Sequence, residues 1–468
     1  MLFPRSFLRD ILLYIPIKLL PAVSIFTIIL YFAKHLSGSD YLSYSTGLSV
    51  SAISVQLCCG WLSAAIVFLL PISSNRELFI SDSIILCVTL GFASGLIGGF
   101  ITLVILQDPA SAVIVFAICL TQSFYVTFNA ISQADRRVIP QLIASGIFSA
   151  ALLVFAILSS YLLQANQRIA LASFALAYMV GLLPITIPHL LRTFQNIRTG
   201  TRRSYRENVV AIARYGSPLS VWAASLLILN SGEKFFPIQS GTFETYIVTK
   251  DLLIGGSSLI SMPLIMAAHP LIFRAFREGR SYIKLITSCI TLLSIAFGFV
   301  WCLFYFFGFD ILRSLTSKNP HEVKLEVFII YFALYLSSLG IYIQKPLEIE
   351  FRTTTIAAIS VVVAIVSLPA FFAFTPKYDA LGAAITLLLS QITYIFFLTI
   401  ISKLPALQII KAIIIFLAVI AIGYSLKGFA EQYLSHMNRV LQTCLWLVLY
   451  FAFVAATTLA AFKKICEI

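Results

Sequence analysis

Charge is what this sequence has least of. Asp, Glu, Lys and Arg make up 11% of its 468 residues, while apolar residues reach 60%; an ordinary soluble domain carries about 25% of the former. One soluble core does not absorb that excess, because a chain of this size would still need a charged surface to face water. A mean hydropathy of +0.98 points to lipid as the solvent. Each span takes about 20 mostly apolar residues, so about fourteen spans would leave only short loops. A large soluble catalytic domain on either side is thereby excluded. Ligand spacings are missing too. His35, His189, His269, His321 and His436 are scattered singles. Cys58, Cys59, Cys87, Cys119, Cys289, Cys302 and Cys444 lie inside apolar runs, with Cys466 in the tail, in neither a zinc nor a redox spacing. No metal and no cofactor is expected. Gly98-Gly99 and Gly255-Gly256 join no strand to a helix and are not phosphate loops. No removable signal peptide is expected: the run after Met1–Asp10 is long, holds Pro16, Lys18 and Pro21, and reads as a first span that stays.

What is present is a succession of apolar runs bounded by charges, Pro or Gly. They fall at about 11–36, 42–70, 82–106, 111–132, 138–163, 169–191, 214–236, 246–270, 283–308, 327–344, 356–374, 381–402, 408–426 and 440–462. In hydrocarbon, backbone polar groups must be satisfied within the segment, so these runs are expected to be helices of an all-α polytopic membrane protein. Lys and Arg fall roughly two to one on the side that holds both termini, which makes that side cytoplasmic. The net charge of +13 is explained in the same way and needs no nucleic-acid partner. The longest polar connection, with Arg192, Arg198, Arg202, Arg203 and Arg206, reads as a linker. The expected division is a six-helix lobe at 1–191, a basic cytoplasmic linker at 192–213, a second six-helix lobe at 214–404, and two further helices at 405–468.

A faint repeat crosses that linker. Tyr14-Ile-Pro16 recurs as Tyr215-Gly-Ser-Pro218, and Ser37-Gly38-Ser39-Asp40 recurs as Ser240-Gly241-Thr242-Phe243. Six crossings separate the two copies, so the lobes are expected to be parallel repeats about a pseudo-twofold axis along the membrane normal.

Several segments resemble polysaccharide transporters, the Wzx-type flippases of the multidrug/oligosaccharidyl-lipid/polysaccharide exporter (MOP) superfamily. They are Leu8-Arg9-Asp10 through Tyr14-Ile-Pro16-Ile-Lys18 to Pro21, Arg214-Tyr215-Gly216-Ser217-Pro218, Glu233-Lys234-Phe235-Phe236, and Thr375-Pro376-Lys377-Tyr378-Asp379-Ala380-Leu381-Gly382-Ala383-Ala384. The last departs from the family pattern at Asp379, where Gly is usual. The resemblance implies a flippase that moves undecaprenyl-pyrophosphate-linked oligosaccharide across the bacterial inner membrane for O-antigen, capsule or exopolysaccharide assembly, by alternating access and without covalent catalysis. Its implied partners are that lipid-linked substrate, membrane lipids, and the polysaccharide polymerase and chain-length machinery. The alternatives are a drug or cation antiporter, a lipid-linked peptidoglycan precursor flippase and, further off, a membrane oligosaccharide polymerase. The antiporter calls for intramembrane carboxylates in the first lobe, where this chain has Lys18.

Ionisable groups at membrane depth mark candidate sites. Lys18, Lys234, Lys250, Arg214 and Arg136 are the expected cavity cations for a diphosphate. Glu233 and Asp251 are expected to pair with the lysines as a charged gate at the outer end of the seventh and eighth spans. For each there is a plainer alternative: snorkelling for Lys18, an interfacial salt bridge for the pairs, and the positive-inside rule for the arginines. Topology is directly testable: a cytoplasm-only reporter fused within 198–206 should be active, and one fused within 427–439 should be silent.

Overall fold

The computed structural model describes residues 5–466 apart from 74, 136, 197–201, 237, 239, 280, 317, 403 and 434–438; at some others, among them 5–15, Lys18, 187–196 and 460–466, it describes the backbone alone. Among the described residues all regular structure is helical. The helices are α1 (Arg5–His35), α2 (Gly38–Val55), α3 (Trp61–Leu69), α4 (Arg76–Leu106), α5 (Pro109–Ala134), α6 (Val138–Leu163), α7 (Gln167–Asn196) and α8 (Arg202–Ser231). They continue with α9 (Gly241–Arg277), α10 (Tyr282–Leu303), α11 (Phe309–Thr316), α12 (Lys324–Ile343), α13 (Lys345–Ile349), α14 (Thr353–Ser402), α15 (Ala406–Tyr433) and α16 (Arg439–Cys466). By length and composition 10 of the helical segments suffice to cross a membrane, with Leu19–His35 and Leu445–Leu459 as shorter apolar helices. These are counted among the described residues alone, against fourteen apolar runs expected from the whole sequence. Part of the difference lies in α14: its 50 residues would reach about 75 Å at about 1.5 Å per residue, more than twice a bilayer core of about 30 Å. It breaks at Asp379 (φ 53°, ψ −135°), between the two apolar runs the sequence shows there.

Local chemistry explains the boundaries. Asn75 caps α4 by accepting from the Leu78 N–H at 3.1 Å. At its other end Gln107 turns left-handed (φ 53°). Asp108 then caps α5, whose first residue is Pro109. The repeated tetrapeptides are both helix caps. Ser37 Oγ accepts from the Asp40 N–H at 3.2 Å at the start of α2, and Ser240 Oγ accepts from the Phe243 N–H at 3.0 Å at the start of α9. Each serine also meets the hydroxyl two residues on, Ser39 at 3.2 Å and Thr242 at 3.1 Å.

Two compact units partition the chain. The first holds Met1–Leu252 and Thr353–Leu387, the second Leu253–Arg352 and Leu388–Ile468. In the first, Leu62, Ala65, Ile66, Phe79, Phe128 and Ile131 build a core to which α8 contributes Ile212. A π-helical turn at Gln56–Gly60 separates α2 from α3, and the Gln56 carbonyl accepts from the Ser220 hydroxyl of α8. One turn on, Gly216 passes so close to α3 that a Cβ would lie 2.0 Å from the Trp61 carbonyl oxygen. Phe68 and Tyr215 stack at 4.3 Å just beyond. The second unit is aromatic: Tyr335 stacks on Phe416 at 4.3 Å, and Trp446 donates to the Gly423 carbonyl at 3.0 Å. Lys427 lies 4.4 Å from the Phe306 ring, a cation–π contact that ties α15 to the end of α10.

This packing is testable in two places. Gly216→Leu should lower the thermal midpoint by several degrees in a detergent melt, because backbone rather than a flexible side chain blocks the added carbon. The second test concerns Asp108, which lies between spans. Arg168 grips both its oxygens (Nε to Oδ2 3.0 Å, Nη2 to Oδ1 2.9 Å), and Ser111 and Gln167 donate to it as well. The Arg168 guanidinium holds this carboxyl well below the usual carboxylate range. Its folded value lies below the unfolded value of about 3.9, so the tie contributes above that pH and is lost as pH falls through the folded value. Arg168→Ala should therefore cost about 1 kcal/mol or less at pH 7, and the gap in melting temperature should narrow only well below pH 4.

Candidate functional site: two crossed ion pairs

The first unit buries four charges at one end. There α8 gives way to a 3-10 turn (Gly232–Phe235), and Gly232 is required because a Cβ would meet the Phe371 ring at 2.7 Å. The turn carries Glu233 and Lys234; α9 returns with Lys250 and Asp251. Pairing is crossed: Lys250 Nζ meets Glu233 Oε1 at 2.6 Å, and Lys234 Nζ meets Asp251 Oδ1 at 2.6 Å. Neighbours on a helix point about 100° apart, which sends Lys250 inward and turns Asp251 aside. Glu233 and Lys250 are fully buried, and Lys234 is 5% exposed.

Helix α2 closes over the second pair. Tyr41, Ser45 and Ser49 stand four residues apart and share one helix face. Tyr41 and Ser45 donate to Asp251 Oδ2 at 3.3 and 2.5 Å. Lys234 Nζ reaches Ser49 Oγ at 3.3 Å, and Thr46 donates to the Lys234 carbonyl at 3.1 Å. The cluster is neutral in sum, so its burial in low dielectric depends on every partner being present. Of the four charged side chains, Glu233 alone keeps a buried oxygen, Oε2, without a hydrogen bond among the described residues. The Glu244 side chain occupies the space beside Gly38 at the start of α2, which adds a further contact between α9 and α2.

Asp379 and Asp82 lie in the same unit. Asp379 sits at the break in α14 and accepts from Ser240 at 2.7 Å and from Thr242. Its backbone geometry favours Gly, and the hydroxyls of the α9 cap hold the substituted carboxylate in place. Asp82, 5% exposed in α4, accepts from Asn208 Nδ2 of α8 at 2.7 Å. In the second unit Lys345 donates to Glu348 at 2.7 Å and to His269 Nδ1 at 3.0 Å, while Gln344 also donates to Glu348 at 2.8 Å.

Of the expected site residues, the structure gathers Glu233, Lys234, Lys250 and Asp251 into one cluster. Both lysines, expected as substrate cations, are occupied by carboxylates in it. Arg214 is exposed on α8. Arg136 and the side chain of Lys18 lie outside the described residues. Among the described residues no group of three or more His, Cys, Asp or Glu could hold a metal ion. Sequence reasoning missed the α2 face, although Tyr41, Ser45 and Ser49 recur at helical spacing, and it missed Asn208 as the partner of Asp82.

No family model matches the sequence, and no curated protein matches it. Solved structures do. The lipid II flippase MurJ in an inward closed conformation aligns with a TM-score of 0.65 at 14% identity, over 95% of this chain and 98% of that one. A mutant of the Vibrio cholerae MATE transporter VcmN aligns at 0.56 and 12% identity, over 85% and 96%. A MOP superfamily transporter from Pyrococcus furiosus aligns at 0.53 and 12% identity, over 84% and 94%. The chain is therefore a multi-pass helical membrane protein with the fold of MOP superfamily transporters. The proteins it matches are transporters, not enzymes.

Removing one partner of a buried ion pair strands the other charge, at about 3–5 kcal/mol, whereas replacing both with apolar residues is close to neutral. Lys234→Met or Asp251→Leu alone should lower the melting temperature markedly, and the double variant should recover most of the loss. A loss in the double variant equal to the sum of the two single losses would show that the pair carries no coupling.

Proposed function

We propose that this protein is a flippase for a polyprenyl-pyrophosphate-linked oligosaccharide of the bacterial cytoplasmic membrane, working by alternating access of two six-helix lobes with two further helices. The observation that carries the reading is the extent of the MurJ alignment: it spans 95% of the chain, where the VcmN and Pyrococcus furiosus transporters span 85% and 84%. A flippase fold thus accounts for nearly the whole molecule. The Arg214-Tyr215-Gly216-Ser217-Pro218 and Thr375–Ala384 segments favour the polysaccharide branch over a peptidoglycan precursor.

The contacts of α2 with the ion-paired turn are the outer gate in this reading. Tyr41, Ser45, Thr46 and Ser49 belong to the first lobe, and Glu233, Lys234, Lys250 and Asp251 to the second, so each bond between them closes the outer side. Opening that side frees Lys234 from α2 and exposes a cation to the cavity, where a diphosphate can use it. Lys18 supplies a second cation from the first span. The prenyl chain stays in lipid, and no covalent step is required.

Proteoliposomes with a fluorescent polyprenyl-pyrophosphate oligosaccharide test the proposal. Wild type should flip it faster than lipid II, and Lys18→Ala should slow flipping at least tenfold with the fold intact. The Lys234→Met/Asp251→Leu double variant should fold yet flip poorly, its gate lacking a charge to release. Efflux of small cations without movement of any lipid-linked sugar would replace the reading with the antiporter.

A further inference from the structure

Two lysines at one end of the second unit are held by aromatic rings rather than by close carboxylates. There α10 runs into a π-helical turn, Phe304–Gly308, of a kind frequent at functional sites. Lys427, near the end of α15, lies over Phe306 at 4.4 Å and over Phe307 and Trp446 at 5.8 Å each. Lys324, the first residue of α12, lies over Phe309 at 5.7 Å and Tyr305 at 6.0 Å. The Tyr305 and Phe306 rings are 5.3 Å apart, so the two ammonium groups flank one continuous aromatic shelf. The acids around it are engaged or turned aside. Asp310 meets His321 at 3.0 Å, and Glu322 accepts from Asn319 at 2.8 Å. Glu326 follows Lys324 by two positions and points about 200° away around the helix. Glu431 stands 3.8 Å from Lys427, beyond direct hydrogen-bond reach. Among the described residues Lys324 makes no ion pair. Ring faces attract a cation but leave its charge unneutralised.

We propose that this shelf binds an anionic phospholipid of the outer leaflet, with its phosphate between Lys324 and Lys427 and its glycerol and upper acyl chains against apolar surface. The phosphate supplies the anion that both lysines lack, and Lys is a good point charge for it. Apolar side chains stand exposed in the same stretch of chain: Ile311 and Leu315, four residues apart on one face of α11, and Leu325 beside Lys324. Apolar surface next to basic residues suits a lipid, whose chains use the one and whose headgroup uses the other; a free phosphate ion would use only the lysines. A zwitterionic headgroup suits the shelf less well, because it brings its own ammonium group towards two others. Bound there, the phosphate ties the start of α12 to the end of α15 across the end of α10. The headgroup site stands on the ring and lysine geometry. Its place in the outer leaflet rests on the topology read from the distribution of Lys and Arg.

Native mass spectrometry of the full chain, released from nanodiscs of equal phosphatidylglycerol and phosphatidylethanolamine, tests the site without a transport substrate. Wild type should retain phosphatidylglycerol in preference. Lys324→Ala should lower that preference about fivefold, the effect of one basic residue near a membrane surface. Lys324 is exposed at the start of α12, so its removal should leave the melting temperature in lipid-free detergent unchanged. Lys324→Arg should keep the preference. So should Lys377→Ala, which removes an exposed lysine lying over a single ring, Tyr378 at 5.2 Å, in the first unit. No preference in wild type, or an equal preference in Lys324→Ala, overturns the proposal. A preference abolished by inorganic phosphate, with phosphate itself retained, makes the ligand the free anion and overturns the lipid. An active cytoplasmic reporter within 427–439 overturns the leaflet and not the headgroup site.

Discussion

Everything in the first unit depends on keeping buried charge neutral where water is excluded. Two lysines and two carboxylates are held at 2.6 Å in crossed pairs, and the price of losing any one exceeds what a typical surface contact contributes. The hydroxyls of Tyr41 and Ser45 complete the hydrogen bonding of Asp251, so α2 is fixed relative to the α8–α9 turn by electrostatics rather than by apolar packing alone. In a molecule whose surroundings are as apolar as its interior, burial gives little preference for one helix arrangement over another. Polar ties and close backbone approach then carry the specificity.

Helix α8 shows how those two devices alternate along one seam. At one end it offers Asn208 to Asp82; in the middle Gly216 and the π-helical turn bring backbone against backbone; at the far end the ion pairs meet α2. The π-helical turn leaves the Gln56 carbonyl available to Ser220, where a regular helix would have used it internally. Polar contacts thus fix the two ends of the seam, and a tight crossing of backbone against backbone fixes its middle.

Much of the architecture was legible as pattern. Apolar runs predict helices because a lipid-embedded backbone has no other way to satisfy its own polar groups. The serine repeat proved to be a pair of matching helix caps at Ser37 and Ser240, which is local chemistry and therefore readable. The four residues at 233, 234, 250 and 251 stood out because charge at membrane depth is rare. Asp379 also stood out, as an acid where Gly is usual, but its role depends on hydroxyls brought from the start of α9, far away in the chain.

The sequence by itself thus determined that the protein is helical, lives in a membrane, and carries charge at a few fixed heights along its spans, since each of these follows from local composition and from the cost of transferring polar groups into lipid. Which charges neutralise which was decided by the tertiary structure alone. Lys234 had two carboxylates within reach in sequence, and only the rotation of α9 assigned it Asp251. Asp82 had no cation within a turn of it in sequence, and only the approach of α8 gave it a neutral amide. Partners of that kind are set by helix rotation, as for Lys234 and Asp251, or by the approach of distant segments, as for Asp82 and Asn208, and sequence spacing does not specify either.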